Sequence, residues 1–366
     1  NIEKALRFVE NIEDSGGTNI NEALSDGLEM FTSGDRPSYV LFLTDGLPTV
    51  GVTDTAAILK NISRANDGKS RIFVFGVGYD VNTELLDRIS SDNRGTSVYV
   101  SENDNLEVAI SQYYEKMSSP LLSDITVKFS GIETKDVYPR VLPDLFKGSQ
   151  LLMIGRYKGE GPVSVEVKGN VEKKTKHFEL KNFMLTKDVS FNFLPRLWAT
   201  RRIGYLLEEI RLQSAQTELI EEVKRLGIKF GIVTPYTSFL VTEKESRLLD
   251  AAAPEAQEAL AARKTTGAGA FRIARATQAL KAQEQAVHVE SQMIRYKSDK
   301  TFYLKDEVWV DSLYIEGEPA KKIIFGSEEY FKLLSEKPDI SKYLSVASNI
   351  LIVFEGNNYR IVLEEN

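Results

Sequence analysis

Apolar residues fall in short runs and at regular spacings along this chain. From Tyr39 to Leu43 five apolar or aromatic residues follow one another, and Thr44-Asp45-Gly46 ends the run. Such a run, bounded by turn residues, predicts a strand buried on both faces. Upstream, Ile2, Ala5, Leu6 and Val9 mark an amphipathic helix reaching about Glu13, and Ile20, Ala23, Leu24 and Leu28 mark a second, from about Asn19 to Phe31. Downstream, Thr53 is the expected cap of a helix carrying Ala56, Ala57, Leu59 and Ile62, and Arg71–Val77 is the next buried strand. Asn82 or Thr83 caps a helix with Leu85, Leu86 and Ile89; Ser97–Val100 is a third strand, and a helix from about Asp104 to Met117 closes the unit. Alternating strands and helices predict a parallel sheet.

The period then changes. Ile125–Phe129, Leu151–Ile154, Val163–Val167 and Lys176–Leu180 read as short strands between Gly, Pro and Asn turns, and the period-two alternation in this region predicts an antiparallel sandwich. Helical spacing returns at Ile203, Leu206, Leu207 and Ile210, and again at Leu219, Val223, Leu226 and Phe230, before a strand at Ser238–Val241. Residues 244–292 are rich in Ala, Gln and charge, and read as a helical or disordered linker without enough apolar surface for a core. Beyond them, Lys300–Val310 reads as a hairpin turning at Lys305-Asp306. A helical patch around Tyr330–Leu334 follows, then two strands, Ile350–Phe354 and Tyr359–Val362, joined by the turn Gly356-Asn357-Asn358. The expected segments are therefore 1–118, 119–243, 244–292 and 293–366. They correspond to α/β, antiparallel β-sandwich plus helices, linker, and a small C-terminal α+β module.

Composition narrows the chemistry. The chain has 366 residues, 42% hydrophobic and 27% charged, with a net charge of -7, so nothing in it favours nucleic acid. It contains no cysteine, which rules out disulfides, thiolate metal sites and a cysteine nucleophile. No apolar run approaches the roughly 18 residues of a membrane span. His177 and His288 stand in unrelated contexts, and there is no Gly-x-Ser-x-Gly elbow and no phosphate-cradling loop, so an enzyme is not expected. Trp198 and Trp309 read as core or interface anchors, and Arg263, Lys264, Arg272 and Arg275 as a solvated face.

One oxygen-rich pattern stands out. Gly16-Gly17-Thr18-Asn19 offers a hydroxyl at a helix start, and Asp45 places a carboxylate at the C-terminal edge of its strand. Two such loops on one sheet edge suit a hard divalent cation, which takes about six oxygen ligands. Locally, Thr18 also fits a plain helix cap and Asp45 a turn residue. Asp14, Asn19 and Asp80 read as caps or as neighbours of the ligands.

These loops resemble the second and third metal loops of a von Willebrand factor type A domain. Leu47-Pro48-Thr49-Val50-Gly51, Phe75–Asp80, Leu145–Ser149, Arg196–Ala199 and Val233–Ser238 are similar to the inter-alpha-trypsin inhibitor heavy chain branch, in order, over roughly residues 1–243. The first metal loop of that family, Asp-x-Ser-x-Ser, does not occur in the chain, which opens at Asn1 directly on a helix. The resemblance thus implies a fragment starting inside a doubly wound type A domain, with the first strands, the first metal loop, a vault-type module and any signal peptide lying upstream. It further implies Mg2+, or Mn2+ or Ca2+, held by Thr18 and Asp45 with Gly17, Asn19 and Gly46 around them. A protein partner would offer an acidic side chain to that cation. The setting would be extracellular, periplasmic or at the cell surface. The Asp-Pro-His-Phe segment through which animal heavy chains attach to hyaluronan is absent, so that activity is not carried over. Two functional readings follow: a metal-dependent adhesion or protein-binding module, or a scaffold with a non-functional metal site.

Overall fold

The computed structural model describes residues 2–13, 16–31, 37–68, 70–117, 120–171, 174–185, 191, 193–212, 216–237, 264–285 and 293–363. These fall into two compact units, Asn1–Leu106 and Glu107–Asn366.

In the first unit, helices α1 (Ile2–Glu10) and α2 (Ile20–Glu29) precede strand β1 (Ser38–Thr44). Helix α3 (Thr55–Asn66) leads to β2 (Ser70–Val77), and α4 (Thr83–Asp92) leads to β3 (Ser97–Val100). The strands form a parallel sheet in the order β1-β2-β3, with Val40 opposite Ile72 and Phe75 opposite Val98. The long apolar run of β2 is explained by its place: it lies in the centre and is buried almost throughout, whereas β1 is only half-buried. Ile58 and Ile62 of α3 and Leu85, Leu86 and Ile89 of α4 complete the core. Helix α2 adds Ile20, Leu24 and Leu28, while no residue of α1 is buried. The caps follow sequence chemistry with one shift. Asn82 accepts from Leu85 N as expected, but the cap of α3 is Asp54, not Thr53, because its carboxylate receives Ala57 N at 2.8 Å. At the other end of α4, Gly95 lets the chain pass close to β2; a Cβ there would lie 1.8 Å from the Ile72 carbonyl oxygen.

The second unit opens on α5 (Leu106–Met117), whose first residue closes the first unit. Strands β4 (Pro120–Ser130), β5 (Glu133–Tyr138), β6 (Leu145–Phe146), β7 (Ile154–Lys158), β8 (Pro162–Val171) and β9 (Lys174–Met184) follow. They form an antiparallel sheet in the order β6-β4-β8-β9 and a separate β5–β7 ladder. The strand expected at Leu151–Ile154 is displaced. Residues 151–153 are irregular, and pairing with β5 begins at Ile154, opposite Tyr138.

Helices α6 (Leu194–Leu212) and α7 (Thr217–Phe230) share a core of Ala199, Ile203, Leu206, Leu207, Val223 and Leu226. Against α6 lies α8 (Gly267–Ala282), with Ala270, Phe271, Ile273 and Ala274 buried. The linker reading of 244–292 is therefore corrected over this stretch. Small and large buried residues mix along it, and they reach the core because Gly204 on α6 lets the helices approach: a Cβ there would stand 2.9 Å from Lys281 N. Residues 244–263 and the strand expected at Ser238–Val241 lie outside the described residues.

The C-terminal module is a six-stranded mixed sheet. Its strands are β10 (Ile294–Lys297), β11 (Lys300–Lys305), β12 (Val308–Asp311), β13 (Lys321–Ile324), β14 (Ile350–Phe354) and β15 (Asn357–Val362), in the order β10-β11-β12-β14-β15-β13. Helices α9 (Glu328–Glu336) and α10 (Ser341–Leu344) help enclose a core that includes Phe302, Trp309, Ile323, Tyr330, Ile352 and Ile361. Both hairpin turns sit one residue away from the expected place, at Asp306-Glu307 and Glu355-Gly356, where every residue has positive φ. That backbone matches the twist of two-residue hairpins. The module is registered on the carbonyl end of α7. Tyr303 donates to Ile228 O at 2.5 Å, Thr301 to Lys229 O at 2.9 Å and Tyr296 to Gly231 O at 2.6 Å, while Arg196 Nε reaches Phe230 O at 3.0 Å. These donors satisfy carbonyls that a helix end leaves open.

Candidate functional site

The loop before α2 and the loop after β1 are tied into one edge. Thr18 N donates to Thr49 Oγ1 at 2.9 Å, and the Thr18 carbonyl accepts from Thr49 N at 2.9 Å and Val50 N at 3.2 Å. The glycines make this approach possible. A Cβ on Gly17 would lie 2.4 Å from Val50 Cγ2, and one on Gly46 would lie 3.0 Å from Thr18 Oγ1. Thr18 therefore presents its hydroxyl beside the backbone that carries Asp45. Thr44, the last residue of β1, shapes that turn: its hydroxyl lies 3.2 Å from Gly46 O and 3.4 Å from Gly46 N.

The donors are uncommitted. Among the described residues, neither the Thr18 hydroxyl nor the exposed Asp45 carboxylate has a hydrogen-bond or ion-pair partner. Asn19 is committed: it caps α2, accepting from Glu22 N at 3.2 Å and donating to Glu22 Oε2 at 2.6 Å. Its amide also stands where a Cβ on Gly51 would go, 2.7 Å away, and Gly51 has φ +68. Asp14 lies outside the described residues; Asp80 is exposed, after Gly78, whose N–H donates to Val100 O.

A hydroxyl and a carboxylate, both oxygen donors on fixed backbone, match the chemistry a hard cation needs. Among the described residues no three His, Cys, Asp or Glu side chains converge to hold a metal ion, and Asp45 supplies a carboxylate at this edge. Sequence reasoning missed Thr49 and Val50 as the residues that lock Thr18. Their signal was slight: a Thr after Pro48 in a turn says little about which backbone it will meet.

The von Willebrand factor type A domain family matches residues 1–112. Among curated relatives, inter-alpha-trypsin inhibitor heavy chain 4 of Mus musculus is 30% identical over 267 residues, covering 68% of this chain and 28% of its own length. Heavy chain H2 of Sus scrofa is 28% identical over 280 residues, covering 70% of this chain and 30% of its own. This chain thus spans about three-tenths of the length of these relatives. Among solved structures, a von Willebrand factor type A protein from Catenulispora acidiphila aligns at 14% identity with TM-score 0.43, covering 77% of this chain and 73% of its own. Residues 1–112 thus match the von Willebrand factor type A domain family, and the chain is similar over 267 residues to an inter-alpha-trypsin inhibitor heavy chain.

Proposed function

We propose that the first unit is a metal-dependent protein-binding module, not an enzyme, working outside the cell, in the periplasm or at the cell surface. Thr18 and Asp45 would hold Mg2+ or Mn2+, and a partner's acidic side chain would complete the shell. The supporting observation is the uncommitted pair of oxygens on two loops tied through Thr18 and Thr49. A divalent cation supplies the positive charge that draws in a carboxylate. Thr18 contributes a neutral oxygen, so it orients without cancelling that charge. Gly46 leaves room beside the hydroxyl, and Thr49 keeps the loop from swinging away. An upstream Asp-x-Ser-x-Ser loop, as the family resemblance implies, would bring further oxygens toward the usual six.

The rival reading, a scaffold with a silent metal loop, is favoured because no three His, Cys, Asp or Glu side chains converge among the described residues. Calorimetry with MgCl2 and MnCl2 separates the two. Thr18→Ala removes a neutral oxygen and Asp45→Ala removes charge, so each should weaken binding about tenfold or more, Asp45→Ala at least as much as Thr18→Ala. Melting temperatures in chelator should stay within a degree or two of wild type, since neither side chain is in the core. Equal heats from all three proteins would leave the scaffold reading standing.

A further inference from the structure

Within the second unit, a cleft of about 660 Å³ lies between the β5–β7 ladder and helices α6 and α7. That is the size of sites that take small ligands or short segments. Its apolar wall is Leu194, Pro195, Trp198, Leu226 and Phe230. Five cationic side chains line it, Lys135, Arg156, Arg202, Arg225 and Lys229, against the two acids Asp136 and Glu222.

Both acids are already engaged by Arg202. Its Nε and Nη2 meet the two Glu222 oxygens at 3.1 and 3.0 Å, and its Nη1 lies 3.4 Å from Asp136 Oδ1. Arg225 reaches only the edge of the same Glu222, at 4.0 Å. Lys135, Arg156 and Lys229 are exposed and have no carboxylate partner among the described residues. In a chain of net charge -7, this is a local reversal of sign, and a concave wall concentrates such a field.

We infer that the cleft docks a short acidic peptide segment of a partner protein, with carboxylates flanking one apolar side chain. The cations surround an apolar wall, so the ligand needs both properties close together. A bare inorganic anion would leave the wall unused. A sugar acid would want an open aromatic face, but Arg156 already stands 5.4 Å from the centre of the Trp198 ring, and the Trp198 N–H is committed to Asp136 O at 3.0 Å. Arginine and lysine around a half-buried aromatic are groups that anchor such contacts.

The probe is a fluorescein-labelled pentapeptide, Glu-Asp-Leu-Asp-Glu, followed by anisotropy on the whole chain. The uncharged Gln-Asn-Leu-Asn-Gln should bind at least about tenfold more weakly, since it lacks the carboxylates. Lys135→Gln with Lys229→Gln should weaken the acidic peptide about tenfold or more with an unchanged melting temperature, both side chains being exposed. Lys305→Gln with Lys322→Gln makes the same charge change on exposed sites of the C-terminal module and should leave binding unaltered. Equal weakening by both pairs would mean general charge attraction and would overturn the proposal. So would equal binding of the two peptides, or preferential binding of a sulfated dextran.

Discussion

Removing the Asp311 carboxylate should destabilise the C-terminal module more than its small size suggests. The side chain is fully buried and pairs with Lys300 Nζ at 2.7 Å, itself only 9% exposed. The other bonds of the carboxylate go to backbone: Oδ1 accepts from Leu313 N at 3.0 Å and Oδ2 from Val353 N at 3.2 Å. Asp311→Ala thus strands one ammonium and two N–H groups. Breaking a buried pair from one side costs about 3–5 kcal/mol, and each stranded N–H about 1–3 kcal/mol, though the terms overlap. A total near 4 kcal/mol is expected. Urea unfolding followed by tryptophan fluorescence is a suitable assay, because Trp309 lies in the core of the same module. With a slope near 3 kcal/mol/M, the midpoint should fall by a little over 1 M. Asp311→Asn keeps one acceptor and should cost about half as much. Combining it with Lys300→Met should cost at least about 1 kcal/mol less than the sum of the single changes, because the stranded charge is gone. A shift below about 0.5 kcal/mol for Asp311→Ala would show that water reaches the pair, and would refute this reasoning.

Three further outcomes are expected. Burial keeps the Tyr303 and Tyr296 hydroxyls protonated above the ordinary tyrosine value near 10, so the unfolded chain releases protons there that the folded chain retains. That stability is complete below about pH 10 and is lost as pH rises further, so urea midpoints should fall, less steeply in Tyr303→Phe. Gly95→Ala should cost about 3 kcal/mol or more in a thermal melt, since the added methyl meets the Ile72 carbonyl and only backbone can yield. Strand β1 has no partner on its outer side among the described residues, and Leu43 is 43% exposed, so light scattering should find the 366-residue chain self-associating and Leu43→Lys less so.

The parallel sheet was legible because β1 and β2 are continuous apolar runs, and the loop carrying Thr18 because Gly-Gly-Thr-Asn precedes a clear helical period. Less legible was whatever depends on distant backbone. Helix α8 breaks the apolar pattern with Ala270 and Ala274 beside Phe271 and Ile273, and its close approach to α6 depends on Gly204, more than sixty positions earlier. The hairpin turns use Asp306, Glu307 and Glu355 at positive φ, where sequence reasoning expects Gly or Asn first. Lys135 and Lys229 look like ordinary surface charges until strand and helix bring them to one cleft. At the candidate site, the residue types were readable, whereas the hydrogen bonds between Thr18 and Thr49 were not.

The seam between α7 and the C-terminal module also has a mechanical meaning. Tyr296, Thr301 and Tyr303 all bond within residues 228–231, so tension applied to the module would load a single helical turn. Apolar contacts slide under load, but directional bonds hold until they fail together. Lys229, in that same turn, faces the basic cleft with its side chain while its carbonyl carries the seam. A pull on the carboxyl end of the chain would thus cross the module's own sheet from β15 to β11 and reach one wall of the cleft through that single turn.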